Sequence, residues 1–323
     1  MSRFTRRNLL QSLALVGATL AAPAALAEDA KVSVVATTGM IADAAQNIGG
    51  ELVEVTALMG PGVDPHAYRQ TRTDILAMTR ADLVLWNGLY LEAQMEDFLL
   101  DLGRNSAVTA VAEVVPQGDL LGNDDYADRF DPHIWMDPTL WTSAVTASLE
   151  AMSAASPRHA EAFAANAEAY IAEIEAIGAY AAQALATVPE QARVVISAHD
   201  AFNYFGSAYG FDVVGIQGIS TESEAGVNRI TELVDMIVER GVGAVFVESS
   251  VSDRSIRARV EGAAARGHEL KIGGELFSDA MGAPGTYEGT YIGMIDHNAT
   301  VITRALGGEA PARGFNGRLS AGS

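Results

Sequence analysis

Cysteine is absent from all 323 residues. An exported chain without it forms no disulfide and carries no cysteine-linked lipid anchor, so its stability has to come from its core. Positive charge is scarce as well. There are 21 Lys and Arg against 41 Asp and Glu, a formal net charge of −20. That balance lacks the basic footprint nucleic acid requires, and it opposes docking on anionic lipid. It suits a protein that handles cations. No run beyond the N-terminal segment is long and apolar enough to span a bilayer, so direct membrane insertion is not expected. The H-E-x-x-H pattern of zinc hydrolases is missing too. Histidine is sparse, six in all, which makes its placement informative.

Apolar residues make up 49% of the chain, enough for a large core, and the length fits about two domains. Residues 1–27 read as a signal peptide: a basic start, a modest apolar run, then Ala25-Leu26-Ala27 as an A-x-A cleavage site. Arg6-Arg7, flanked by Thr5 and Asn8-Leu9-Leu10, resembles a twin-arginine export signal. An ordinary secretory signal with two chance arginines is the other reading. Cleavage after Ala27 removes three arginines and no acid, taking the net charge from −20 to −23. The mature chain is expected free in a periplasm.

Short β-branched runs at 31–37, 51–58 and 82–88 alternate with helical patterns over 41–48, 72–79 and 91–102. Similar runs recur at 193–198, 211–216, 243–249 and 269–274, with helical patterns over 227–240 and 253–266. Strands alternating with helices predict α/β lobes with parallel sheets. Between them, from Pro138 to about Val188, no strand signal appears. A helix is predicted over 139–154. A second, rich in Ala and Glu, begins at Pro157 behind Ser156; if continuous it spans about 30 residues and roughly 45 Å. The predicted organisation is an N-terminal lobe at 28–137, a helical linker at 138–188, a C-terminal lobe at 189–306 and a fraying tail at 307–323.

Ligands of open α/β sheets bind beyond the carboxyl ends of the strands, so the strand exits matter most. The loop MGPGVDPHAYRQT places His66 after Asp64-Pro65, and DPHIWMDP repeats the triplet with His133. His199 follows RVVISA, and Asp279 lies beyond ELKIGG. Three imidazoles and a carboxylate in loops that can face one cleft form a candidate shell for a divalent transition metal. Four protein donors make a closed zinc site, which suits binding rather than hydrolysis. Each residue also has a plainer reading. A lone loop histidine is commonly a surface or hydrogen-bonded group, Asp64 and Asp131 can start turns, and Asp279 can cap a helix. His159 is read as solvated or paired with a nearby Glu, and His268 and His297 as structural. Tyr204, Phe205 and Tyr209 are read as core.

GVDPHAY, DPHIWMDP, SAHDAFNYF, GISTESEAG, FVESSVSDRS and GGELFSDAMG…GTYEGTYIGM, in that order, resemble the TroA-like solute-binding proteins of zinc and manganese ABC importers. The likeness runs over about residues 31–306. It implies two α/β lobes joined by one long helix, with His66, His133, His199 and Asp279 as metal ligands in the cleft. It also implies one Zn2+ or Mn2+ as cargo, a membrane permease as partner, a monomer and no enzymatic activity. Glu222 and Glu224 fall in a cleft-side loop and can help order the site. At the third ligand position some manganese-type members carry glutamate, where this chain has His199. The histidine-rich loop of many zinc-uptake members is replaced here by residues 116–132, which hold none. Two other readings stand beside this one. A zinc-dependent hydrolase would draw its base from Asp200 or Glu248. An adhesin-like interaction protein is the second. Affinity for metal is expected to fall as the histidines protonate near pH 6.

Overall fold

The computed structural model describes residues 30–122, 129–222 and 227–320. In the first part, β1 (Val32–Ala36), β2 (Val53–Ala57), β3 (Leu83–Trp86) and β4 (Val108–Ala110) form one sheet in the order β2-β1-β3-β4, all parallel. The register aligns Val34 with both Val55 and Leu83. Crossovers run through α1 (Gly39–Gly49), α2 (Arg72–Arg80) and α3 (Glu96–Leu102). In α1, Met40, Ile41, Ala44, Ala45 and Ile48 are buried, the stripe a core-facing helix needs. The start of α2 is fixed by a capping box between Thr71 and Asp74.

The second part repeats this winding. β5 (Val194–Ser197) pairs with β6 (Asp212–Gly215), and β7 (Ala244–Glu248) pairs with β8 (Lys271–Leu276), again parallel. The two pairs adjoin through β5 and β7. With them come α6 (Asn203–Tyr209), α7 (Val227–Arg240), α8 (Arg254–Ala265) and α9 (Tyr291–Ala305). Between the sheets lie α4 (Pro138–Ala155), capped by Asp137 with Pro138 in its first turn, and α5 (Ala160–Leu185). At 26 residues, α5 is about 39 Å long. Its buried residues Phe163, Ala167, Tyr170, Ile174, Ile177, Ala181 and Leu185 step by three and four, and they pack on α1, α4 and α9.

Several boundaries differ from the sequence-based expectation. Residues 157–159 turn as a 3₁₀ helix before α5, so the long helix is shorter than 30 residues. The helix predicted from Leu91 starts only at Glu96. Ahead of it, Gly88, Leu89 and Tyr90 all have positive φ, at 81°, 52° and 70°. The fully buried Glu92 carboxylate holds that turn, accepting from the amides of Asn87 and Gly88 and from the Thr37 hydroxyl. A chain serving that carboxylate cannot also wind into helix there. The short strand β4 and the helix α9 were not anticipated. Every residue of α9 from Tyr291 to Thr303 is buried, so it carries no amphipathic period to read. The tail expected to fray is held as far as Ser320. Glu309 donates to Thr187, Phe315 donates to both oxygens of Asp296, and Leu319 is fully buried.

Candidate metal centre

The four candidate residues all leave the carboxyl side of the sheets. His66 lies in the loop after β2, His199 just past β5 and Asp279 just past β8. His133 ends the loop before α4. The structure brings all four together. Each offers one ligand atom, and these atoms lie within 4.8 Å of one another. All four side chains are buried, His66 at 2%, His133 and His199 at 0% and Asp279 at 3% exposure.

The separations are informative. His66 Nε2 is 3.3 Å from His133 Nε2. Asp279 Oδ1 is 3.3 Å from His133 Nε2, and Asp279 Oδ2 is 3.1 Å from His199 Nε2 and 3.9 Å from His66 Nε2. Four donors around a zinc ion at about 2.0–2.1 Å stand about 3.3 Å apart along the edges of a tetrahedron. His199 Nε2 and both Asp279 oxygens lack an aligned hydrogen bond despite their burial. They sit close without bonding to each other, as groups sharing a cation do. Buried polar atoms left so are rare in folded proteins.

Two carboxylates behind the rings decide which nitrogen faces inward. Asp131 Oδ1 lies 2.7 Å from His133 Nδ1 and also accepts the His133 amide at 2.9 Å. Glu248, the last residue of β7, places Oε2 2.5 Å from His199 Nδ1 and accepts the His199 amide on Oε1 at 2.8 Å. An Nδ1–H donated to carboxylate leaves the Nε2 lone pair of the neutral ring for a metal. Burial pushes His66 down to about 3, so its ring is neutral and ready to ligate. Burial also works to lower His133, but Asp131 and Asp279 outweigh it and raise it to about 9. The same contest, with Asp279 and Glu248 as the carboxylates, raises His199 well above its usual value. Asp279 is held well below the carboxylate range, since His199 and His133 overcome the opposing effect of burial. In the metal-free protein, protons on His133 and His199 thus supply the positive charge.

Other sequence expectations fare variously. Tyr204 and Phe205 are buried, as a core reading requires. His268 and His297 contact the backbone carbonyls of Val242 and Glu275. His159 meets the Ser156 hydroxyl at 3.1 Å rather than a Glu. Glu222 reaches Gln94, not the four-residue cluster. Glu224 lies outside the described residues. Sequence reasoning missed the supporting roles of Asp131 and Glu248. Glu248 did carry a signal, being an acid at a strand exit like the candidate ligands themselves.

Residues 34–305 match the family described as "Zinc-uptake complex component A periplasmic". The chain belongs to that family. It is 49% identical to the manganese-binding lipoprotein MntA of Bacillus subtilis over 278 residues, covering 86% of this chain and 90% of the relative. It is 44% identical to the zinc-binding protein TroA of Treponema pallidum over 280 residues, covering 87% and 90%. The solved structure of that periplasmic zinc-binding protein superposes with a TM-score of 0.84 at 43% identity, covering 86% of this chain and 99% of that one. The protein is therefore a metal-binding solute-binding component of an ABC importer, not an enzyme, and the two-lobe fold with its cleft site agrees with the likeness. Nothing in these likenesses supports the hydrolase reading, and Glu248, one of its two candidate bases, is engaged by His199. Nothing in these likenesses supports an adhesin. Among the described residues no helix is long and apolar enough to cross a membrane.

Proposed function

We propose that His66, His133 and His199 through Nε2, and Asp279 through its carboxylate, bind one Zn2+ or Mn2+ and deliver it to a membrane permease. The observation that carries this reading is the buried group of four donors at tetrahedral spacing, with three of its atoms unbonded. Imidazole-rich shells favour zinc, and zinc outranks manganese in intrinsic affinity. Both oxygens of Asp279 face the cluster, so the carboxylate can bind through one oxygen or two. One-handed binding gives zinc four donors. Two-handed binding gives manganese a fifth. Zinc is accordingly the tighter ligand in solution, with either ion as transported cargo. The relatives named for manganese and for zinc accord with that breadth.

The working protein in this reading is a monomer, cut after Ala27 and free in the periplasm, since no cysteine offers a lipid anchor. Its lobes span 28–137 and 189–306, with 138–188 as a stiff linker that keeps closure small. Titration of the metal-free mature chain with zinc and with manganese, at pH 7.5 and at pH 5.5, tests the reading. One ion per chain, with zinc tighter and both weakened in acid, is the expected result. Failure of both metals to bind at pH 7.5 overturns it.

A further inference from the structure

We infer that Asp64 and Thr221 form an interlobe latch that sets how fast the bound metal leaves, an inference resting on the metal-binding reading above. The four ligands are not held alike. His133 and His199 each have a carboxylate behind the ring. Asp279 is pinned on both sides: the Trp135 indole donates to the Ser278 carbonyl at 2.8 Å, and the Ser249 hydroxyl donates to the Ala280 carbonyl at 3.1 Å. Behind the His66 ring no described carboxylate is hydrogen-bonded. Its ring neighbour within hydrogen-bond distance is His133 Nε2, on the side that faces the metal. Its distance to Asp279, 3.9 Å, is longer than those of His133 and His199, 3.3 and 3.1 Å.

His66 therefore depends on its backbone for position. Its amide donates to Asp64 Oδ1 at 2.9 Å. The other oxygen of that carboxylate accepts the Thr221 hydroxyl at 2.5 Å, from the segment that follows β6 in the opposite lobe. Beside this bond the Gln94 amide donates to Glu222 at 2.8 Å, a second tie between the same parts of the chain. The loop that carries His66 has little else to restrain it at Gly60, Pro61 and Gly62, which are exposed. Opening the cleft along this edge pulls Asp64 from Thr221 and draws His66 off the metal in one motion. The hydroxyl-to-carboxylate bond is short and charge-assisted, so its loss lowers the barrier to release. Metal enters before the latch closes, so association is little affected.

Stopped-flow release of zinc into excess chelator, from the mature full-length chain, tests the latch. Thr221→Val, which keeps the shape and deletes the hydroxyl, is expected to release zinc about tenfold faster. Association should stay within about twofold, and Thr221→Ser should restore the wild-type rate. The exposed tie, removed by Gln94→Leu, should speed release about threefold. Dissociation unchanged in Thr221→Val, or Thr221→Ser releasing as fast as Thr221→Val, overturns the latch. If Thr221→Val shows no melting transition, Gln94→Leu decides, and an unchanged release rate there overturns it. Wild-type protein that binds no zinc defeats the metal reading itself, a separate failure.

Discussion

Replacing Glu248 by Gln is the sharpest available test of how His199 is held. The carboxylate makes two contacts with one residue, accepting the His199 amide on Oε1 and facing Nδ1 with Oε2. Both partners are donors when the ring is the tautomer that ligates through Nε2. Glutamine has one acceptor and one donor in place of two acceptors. If its oxygen takes the backbone amide, its NH2 group faces Nδ1. The ring then moves its proton to Nε2, the atom that should bind metal. If its oxygen takes Nδ1–H instead, the NH2 group meets the backbone N–H, two donors face to face at a buried position. Neither arrangement satisfies both contacts. Loss of such a supporting partner costs about 10–100-fold in metal affinity, or about 1.4–2.8 kcal/mol. Competitive zinc titration of Glu248→Gln at pH 7.5 reads this directly, with the melting curve of the metal-free protein showing that the fold survives. Zinc affinity within twofold of wild type would refute the reasoning, because it would mean that Glu248 does not choose the tautomer.

Metal binding should also release protons. With His133 raised to about 9 and His199 raised well above its usual value, close to two protons should leave per zinc at pH 7.5. Three ordinary histidines would release about a quarter of a proton there. Calorimetry in buffers of different ionisation enthalpy counts them, and a count below one would show that the rings are neutral before metal arrives. Because protonated rings must lose protons to ligate, affinity should rise with pH through the neutral range up to about 9, not only near pH 6. The stability these groups lend the metal-free fold runs the opposite way. For His133 it is full below about 6.5 and is lost as pH rises through about 9. His199→Ala should weaken zinc binding by orders of magnitude and lower the melting temperature of the metal-free protein. It leaves the buried Glu248 carboxylate without its imidazole partner and Asp279 with His133 as its nearer remaining imidazole, a loss of about 3–5 kcal/mol. An unchanged zinc affinity would remove His199 from the shell. In the wild type, zinc at 100 times its Kd should add about 2.7 kcal/mol of stability, and a melting temperature indifferent to zinc and manganese would contradict the binding reading.

Much of the fold was legible because its elements obey simple periods. The strand runs at 31–37, 51–58 and 82–88 all hold strands, and α7 has the bounds read for it. The parts that escaped share a physical reason. Buried on all sides, α9 offers no polar face to mark it. The start of α3 is displaced by a carboxylate that bonds to the turn beneath it. The tail gains its order from Asp296 and Thr187, residues distant in sequence. His66, His199 and Asp279 were legible because they follow strands, where parallel sheets place their ligands, and His133 because it repeats the D-P-H triplet of His66.

The paired D-P-H triplets show where such reading stops. In both, the aspartate accepts the amide of the histidine two residues on, at 2.9 Å. Here the plain reading, that Asp64 and Asp131 shape turns, holds for both. The remaining contacts of the two carboxylates then diverge. Asp131 turns back on the His133 ring and directs Nε2 inward. Asp64 turns away from His66 and takes the hydroxyl of Thr221, 157 residues along the chain. Identical local sequence thus yields one ligand whose ring is held from behind by its own aspartate and one whose ring is not. Both second oxygens reach the opposite lobe, Asp131 Oδ2 accepting from Asn203 and Asp64 Oδ2 from Thr221. What separates the two is whether the histidine ring folds back onto its own aspartate, a tertiary fact that no three-residue pattern contains. A protein that must grip a metal and then surrender it benefits from that inequality. Three ligands held by side-chain contacts on several sides keep the site formed, and a fourth, whose ring has no carboxylate bonded behind it among the described residues, is the one that opening of the cleft can draw away.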